Sequence, residues 1–394
     1  MRNKSWLVLV VVAVVLGGLG WWVAVSRDNA TQADFTPKPL FSDLTAKVND
    51  VASLEIATSK TLFRIERGKT ADQWIMPSRD GYPVRPELVR KNVIGIAQLQ
   101  TIEPRTDKPE HYDLLQVSEP DKYKPADEAA KSDPGPILVR LVNDKSEGIA
   151  SVIVGKIKSY PVGGKPGQYH VRKPSEARAW LAEGILELPA QPVDWLVKDL
   201  IKIDRARVAT ATVTHPDGEV LKLVRAAPKK EGESAGADFT PADMPKGMKL
   251  TSQYDGNSVA NVLAWMTFDD VAKAEGKDFS KATVTELDTL DGIRAVIRSV
   301  PAEADKAGGD SDKKKSWITI DVSYDPALVK PDEKNKELLK PEEAEKQAKE
   351  AAARMAGWRY LVPESTTRDL TRHLKDLIEP IKQDEKKDNG KKAG

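Results

Sequence analysis

The longest apolar run comes first. Trp6 to Val25 is twenty residues without a charge. A helix of that length rises about 30 Å, the thickness of a bilayer core. Trp6 at one end and Trp21 and Trp22 near the other match the positions indole rings favour at membrane interfaces. Arg2 and Lys4 precede the run, whereas Arg27 behind it is offset by Asp28. The bias predicts a single-pass anchor with its N-terminus in the cytoplasm and the bulk of the chain in the periplasm of a bacterial inner membrane. The competing reading is a signal peptide cleaved after Ser26, but the apolar core exceeds the usual signal-peptide length.

Beyond a polar tether the pattern changes to short alternating runs. Val51, Leu54 and Ile56, then Leu62, Phe63 and Ile65, predict two strands, and Trp74-Ile75-Met76-Pro77 a third, closed by the Asp80-Gly81 turn. Pro86 opens a predicted helix with Val89, Val93, Ile96 and Leu99 on one face. The pattern returns from Val208 onward. Val208 to Thr214 and Val220 to Arg225 flank the turn His215-Pro216-Asp217-Gly218, and Leu62–Arg67 matches Val220–Arg225 in character at every position but Glu66. Phe239 falls near the role of Trp74, and Ser258 is expected to open a helix carrying Val259, Leu263 and Met266. The expectation is an internal duplication, with chance likeness of two ordinary hairpin–helix units as the alternative.

Between the copies Ile137–Val142, Ile149–Lys156 and Tyr169–Arg172 read as strands, with a glycine-rich turn at Gly163-Gly164. Ala179–Leu181 and Ile185–Leu188 are shorter candidates. After the second copy Ile293–Val300, Trp317–Val322 and Trp358–Val362 read as strands. Residues 302–315 read as a mobile loop by composition. Pro341–Ala356 is a strong helix former. Thr366 with Asp369 suggests a helix start, and Leu370, Leu374, Leu377 and Ile381 a terminal amphipathic helix. The predicted class is α+β: one transmembrane helix, then a β-rich body with a duplicated hairpin–helix (ββ(β)α) unit. The expected divisions are an anchor over 1–27, a tether over 28–40, a first copy over 41–198, a second over 199–381 and a charged tail over 382–394.

Charge and composition narrow the chemistry. Lys plus Arg is 61 and Asp plus Glu is 60 in 394 residues, a balance unsuited to nucleic-acid binding. The absence of cysteine removes disulfides, thiolate catalysis and zinc–cysteine sites. Gly164-Lys165 is followed by Pro166, so no phosphate-binding loop forms there. The four histidines, His111, His170, His215 and His373, are scattered, and His373 is expected on the polar side of the last helix. Asp269 with Asp270, Asp288 with Asp291 and Asp310 with Asp312 are neighbouring acids, best read as helix-end or solvated groups. No catalytic, cofactor-binding or metal site is predicted. Most tryptophans outside the first segment, Trp265 among them, read as core, while Tyr160 and Trp195 are the expected surface exceptions and candidate interaction residues.

The chain resembles an uncharacterised bacterial membrane-anchored domain-of-unknown-function family found beside ABC-type permeases and gliding-motility-type auxiliary components. The resemblance runs over roughly residues 40–300. It is carried by the N-terminal apolar segment, Phe41-Ser42-Asp43-Leu44, Val48 to Ile56, Trp74 to Pro77, Gly81-Tyr82-Pro83-Val84, Leu99 to Pro104, Tyr169 to Arg172 and Asp194-Trp195-Leu196. It implies a role beside a transporter at the cell envelope and supplies no catalytic residues. The expected function is a non-enzymatic accessory subunit partnering the inner membrane and an ABC-type permease, with a scaffold or glycan binder and an envelope hydrolase as alternatives.

Overall fold

Short strands, some buried on one face and some on both, pair edge to edge into two large antiparallel sheets. The computed structural model describes residues 36–70, 72–124, 133–226, 238–302, 314–330, 332 and 334–381. The chain divides between Trp195 and Leu196 into two compact units, with Arg79–Tyr82 belonging to the second.

The first sheet holds β1 (Lys38–Pro39), β2 (Ser53–Ala57), β3 (Leu62–Arg67), β4 (Trp74–Met76), β5 (Tyr82–Val84), β6 (Gln100–Pro104), β7 (Ile137–Val142), β8 (Gly148–Ser159), β9 (Gly167–Arg172) and β10 (Ala179–Gly184). Its order is β1-β6-β10-β9-β8-β7-β2-β3-β4-β5. The helices nearby are α1 (Leu44–Lys47), α2 (Pro86–Ala97) and α3 (Tyr112–Leu115). Pro86 at the first turn fits α2, which buries Val89, Val93 and Ile96.

The second unit contains β11 (Val208–Thr214), β12 (Val220–Arg225), β13 (Phe239–Pro241), β14 (Met248–Leu250), β15 (Asp270–Lys273), β16 (Thr283–Thr289), β17 (Ile293–Pro301), β18 (Ser316–Tyr324), β19 (Trp358–Val362) and β20 (Ile378–Pro380). Its main sheet runs β13-β12-β11-β16-β17-β18-β19-β15, and β14 pairs with β20 in a separate ribbon. The helices are α4 (Gln253–Ser258), α5 (Pro341–Met355) and α6 (Glu364–Leu370). α5 buries the small-residue stripe Ala344, Ala348 and Ala351, ending in Met355, on a face repeating every three to four residues.

The two sheets share one topology. Within the first, β4-β3-β2-β7-β8-β9-β10-β6 has the same connectivity as the whole of the second, and every corresponding pair is antiparallel. Side chains repeat too. Arg67 faces Trp74 across β3 and β4 and lies 5.5 Å from its ring centre, while Arg225 faces Phe239 across β12 and β13 at 5.8 Å. Each guanidinium also donates to a carbonyl at the start of the neighbouring strand segment, Arg67 to Val51 at 2.6 Å and Arg225 to Val208 at 2.8 Å.

These observations correct the expected fold class. The body is built on large antiparallel sheets with few helices, and what repeats is a whole eight-stranded sheet, of which the expected hairpin–helix unit is one part. In the second copy α4 ends at Ser258, where a helix was expected to begin, and the segment carrying Val259 and Leu263 runs as turns. The terminal amphipathic helix is also replaced: α6 stops at Leu370, after two β-branched threonines that favour helix weakly, and Ile378 pairs with Leu250 in β20. Ile185–Leu188 forms no strand. Among the described residues no helix is long and apolar enough to cross a membrane. The segment expected to form the transmembrane helix, with Trp6, Trp21, Trp22 and Val25, lies outside the described residues, as do the loop over 303–313 and the charged tail.

One buried ion pair organises the second unit. Arg207, before β11, donates from Nε to Asp291 Oδ2 at 2.7 Å, with side chains only 6% and 2% exposed. Asp291 also accepts from the Thr289 hydroxyl at 2.6 Å and the Leu339 amide at 3.0 Å, and Arg207 reaches Gln347 on α5 at 3.0 Å. The pair joins the β16–β17 turn to the entrance of α5. Removing one partner strands a buried charge, so Asp291→Ala is expected to cost about 3–5 kcal/mol in urea unfolding. Arg207→Met with Asp291→Leu should restore much of that loss.

Candidate functional site

The first unit contains a cleft of about 990 Å³. Its floor is set by where strands stop. β7 begins at Ile137, opposite Val154, while β8 continues to Ser159, so Gly155, Lys156 and Ile157 extend past the end of β7. Tyr169 on β9 lies opposite Ile157, and the pairing shifts register on either side of that position. Such irregularities bend a strand and re-aim its side chains.

The far wall is Leu186–Pro189, a segment without regular structure, so its backbone groups need side-chain partners. Fully buried Asn92 on α2 provides them: its amide donates to the Glu187 carbonyl at 2.5 Å and accepts from the Glu187 N–H at 3.0 Å. The Tyr169 hydroxyl meets both the N–H and the carbonyl of Leu186 at 3.3 Å. Burial pushes this phenol above its usual range. On the opposite side of β9, burial holds the His170 imidazole below its ordinary value, with Nδ1 2.9 Å from the Lys156 carbonyl. Two glycines permit close backbone approach. A β-carbon at Gly155 would stand 2.3 Å from the Leu115 carbonyl, and one at Gly95 2.2 Å from the Ile185 carbonyl.

The lining is chiefly apolar: Ile137, Val154, Ile157, Tyr160, Tyr169, Leu186 and Leu188 with Pro134, Pro161 and Pro189. Lys91 donates to Glu187 at 2.7 Å, so these two opposite charges neutralise each other at the rim. Tyr160 is 71% exposed on the cleft margin, beside exposed Val162.

Trp195, by contrast, is not a surface residue. It is fully buried, and its indole N–H donates to the Pro189 carbonyl at 2.9 Å. The Pro192–Trp195 3₁₀ turn directs the ring inward, where its one polar atom finds a backbone acceptor. It therefore supports the wall rather than contacting a partner. Trp265, expected in the core, is 82% exposed. It flanks a cleft of about 320 Å³ in the second unit together with exposed Tyr254, half-buried Asn261 and Asp369, and buried Asn257. Burial raises the Asp369 carboxyl above its usual range.

The neighbouring acids do not converge on the large cleft. Asp269 pairs with Lys315 at 3.2 Å, Asp270 with Arg79, Asp288 with Arg294 at 2.7 Å and Asp291 with Arg207. Asp310 and Asp312 lie outside the described residues. Two histidines do meet: His215 and His373 stack with ring centres 3.9 Å apart. His373 lies outside α6, at the start of a 3₁₀ turn, and not on a helix face. Sequence spacing carried no sign of this pair, because the residues come from the β11–β12 turn and from the segment after α6. Among the described residues no group of three or more side chains is arranged to hold a metal ion.

The family model described as "Domain of unknown function (DUF4340)" matches residues 74–290, more than half of the chain, and includes every residue lining the large cleft. No curated protein matches the chain.

Gly95→Ala should raise helix propensity by about 1 kcal/mol yet destabilise the protein by roughly 1–3 kcal/mol in chemical unfolding, because its methyl group displaces the cleft wall. Gly148→Ala, whose β-carbon meets nothing within 4 Å, should change stability little.

Proposed function

The chain belongs to the DUF4340 family of domains of unknown function, and from that premise we propose that it is a non-enzymatic interaction subunit whose first-unit cleft seats an extended apolar segment of a partner protein. The supporting observation is the cleft itself: its volume of about 990 Å³, its mostly aliphatic and aromatic lining and the exposed Tyr160 at its margin. Water leaves such a surface when an apolar chain covers it, at about 25 cal/mol per Å² removed from solvent. Its wall is held by Asn92, Tyr169 and Trp195, so the surface is formed before a partner arrives, which lowers the ordering cost of binding. The resemblance to proteins found beside ABC-type permeases supplies the proposed partner class, a permease subunit of an envelope assembly.

Ile157→Asp and Tyr160→Asp place charge where the partner would sit. Each is expected to reduce copurification of the permease with the full-length chain about tenfold or more while leaving thermal unfolding unchanged. Recovery at the unsubstituted level from both variants contradicts the proposal.

A second reading has its own observation. Tyr254 and Trp265, 72% and 82% exposed, flank a cleft with Asn261 and Asp369, a pairing of aromatic faces and hydrogen-bonding groups suited to sugars. Envelope glycan fragments should then quench Trp fluorescence in the full-length chain but not in Trp265→Ala. Equal quenching in both removes this reading.

A further inference from the structure

The shared topology allows the counterpart of the large cleft to be located in the second unit. In the first, it opens where β7 starts, at the Ile137–Val154 pair, and is walled by the segment following β10. The corresponding start of β16 is the Thr283–Ser299 pair, and the segment following β19 contains Thr367, Thr371 and His373. These residues line a cleft of about 430 Å³. The support also corresponds. In the first unit the hydroxyl of Thr61, at the β2–β3 turn, donates to the Ala190 carbonyl at 3.0 Å. In the second, His215 at the β11–β12 turn stands with Nε2 3.0 Å from the Arg372 carbonyl.

The chemistry of the lining is opposite. Ile137 and Val154 give way to Thr283 and Ser299, and Ser316, Thr367 and Thr371 add three more hydroxyls. Lys281, Lys314, Lys315, His215 and His373 line the same cleft, and among the described residues no carboxylate does. Lys314 reaches Glu364 at 3.2 Å in an exposed pair that contributes little, and half-buried Lys315 reaches Asp269 at 3.2 Å. The Glu219 carboxylate accepts from His373 Nδ1 at 2.7 Å, leaving Nε2 as the ring's other polar atom. Ser299 is 3% exposed, and its Oγ has no hydrogen-bond partner among the described residues; neither has the Thr367 hydroxyl. A buried hydroxyl without a partner is costly, and a ligand oxygen would relieve it. Hydroxyl and ammonium donors gathered in a lining whose described residues include no carboxylate suit an oxyanion, with charge-assisted hydrogen bonds supplying most of the affinity.

We infer that the second-unit cleft binds a phosphate-type oxyanion, as free phosphate or carried on a small sugar. The site stands independently of any protein partner in the first unit. The test is isothermal titration of the full-length chain with inorganic phosphate and with glucose 6-phosphate, using glucose as the neutral control. Phosphate and the sugar phosphate should bind at millimolar concentration or below, and glucose should not. Tighter binding of glucose 6-phosphate than of phosphate identifies a phosphorylated sugar as the ligand class; equal affinity identifies phosphate alone.

Thr283→Ile with Ser299→Val gives the second cleft the side chains that the first already carries at those positions. This variant should weaken phosphate binding about tenfold or more. Lys281→Ala, at an exposed position, should weaken it severalfold with no change in thermal unfolding and so remains informative if the double variant folds poorly. Absence of phosphate and sugar-phosphate binding, binding of glucose with equal affinity, or unaltered phosphate affinity in Lys281→Ala together with a folded double variant overturns the inference.

Discussion

One-sided burial governs the central strands of the second unit, whereas β7 and β9 of the first are buried on both faces. Along β16 the residues alternate without a break between buried and half-exposed, and β17 and β18 follow the same rule over most of their length. Side chains on a strand alternate between the two faces, so each such strand fixes which face of its sheet must be covered. A shift of one residue would turn Leu287, Ala295 and Ile297 to the polar face, and the cross-strand pairs Leu287–Ala295 and Thr285–Ile297 show that the register avoids it. The helices then have limited work. α5 lays its alanine stripe toward β18 and β17, with small side chains where a helix must approach closely, and Arg207 and Asp291 secure its entrance. Arg67 and Arg225 make the same bond to the neighbouring strand segment in the two copies.

A duplicated sheet keeps its packing because the period-two pattern constrains the buried face, while positions where a strand outruns its neighbour are less constrained. Both units open a cleft at such a place. In one the positions opposite each other are Ile137 and Val154, and in the other Thr283 and Ser299. Backbone geometry is held in common, and ligand chemistry is set by a few side chains. That division is the physical basis for assigning the two clefts different occupants, and it agrees with the general rule that function resides in sites rather than in folds.

Strands were the legible part of the sequence. Leu62–Arg67 and Val220–Arg225 alternate clearly and are bounded by turn residues, and they form β3 and β12 with those limits. Helices were less legible, because apolar residues at three- and four-residue spacings also arise where turns fill a core; Val259 and Leu263 are fully buried without a helix beneath them. The direction of a single ring was not legible at all. Trp195 turns inward because a 3₁₀ turn and the Pro189 carbonyl capture it, and Trp265 turns outward on an irregular segment. The His215–His373 stack and the Asn92 clasp on Glu187 join residues far apart in the chain, and no local pattern encodes either.

The most direct measurement is photocrosslinking in cells from a light-activated residue placed at position 160 of the full-length chain, with the same residue at exposed position 62 as the reference. Position 160 is expected to crosslink to an apolar segment of a permease subunit, and position 62, comparably exposed, is not. Equal crosslinking from both positions, or no protein crosslinked from position 160, would contradict the assignment of the first-unit cleft as a docking surface.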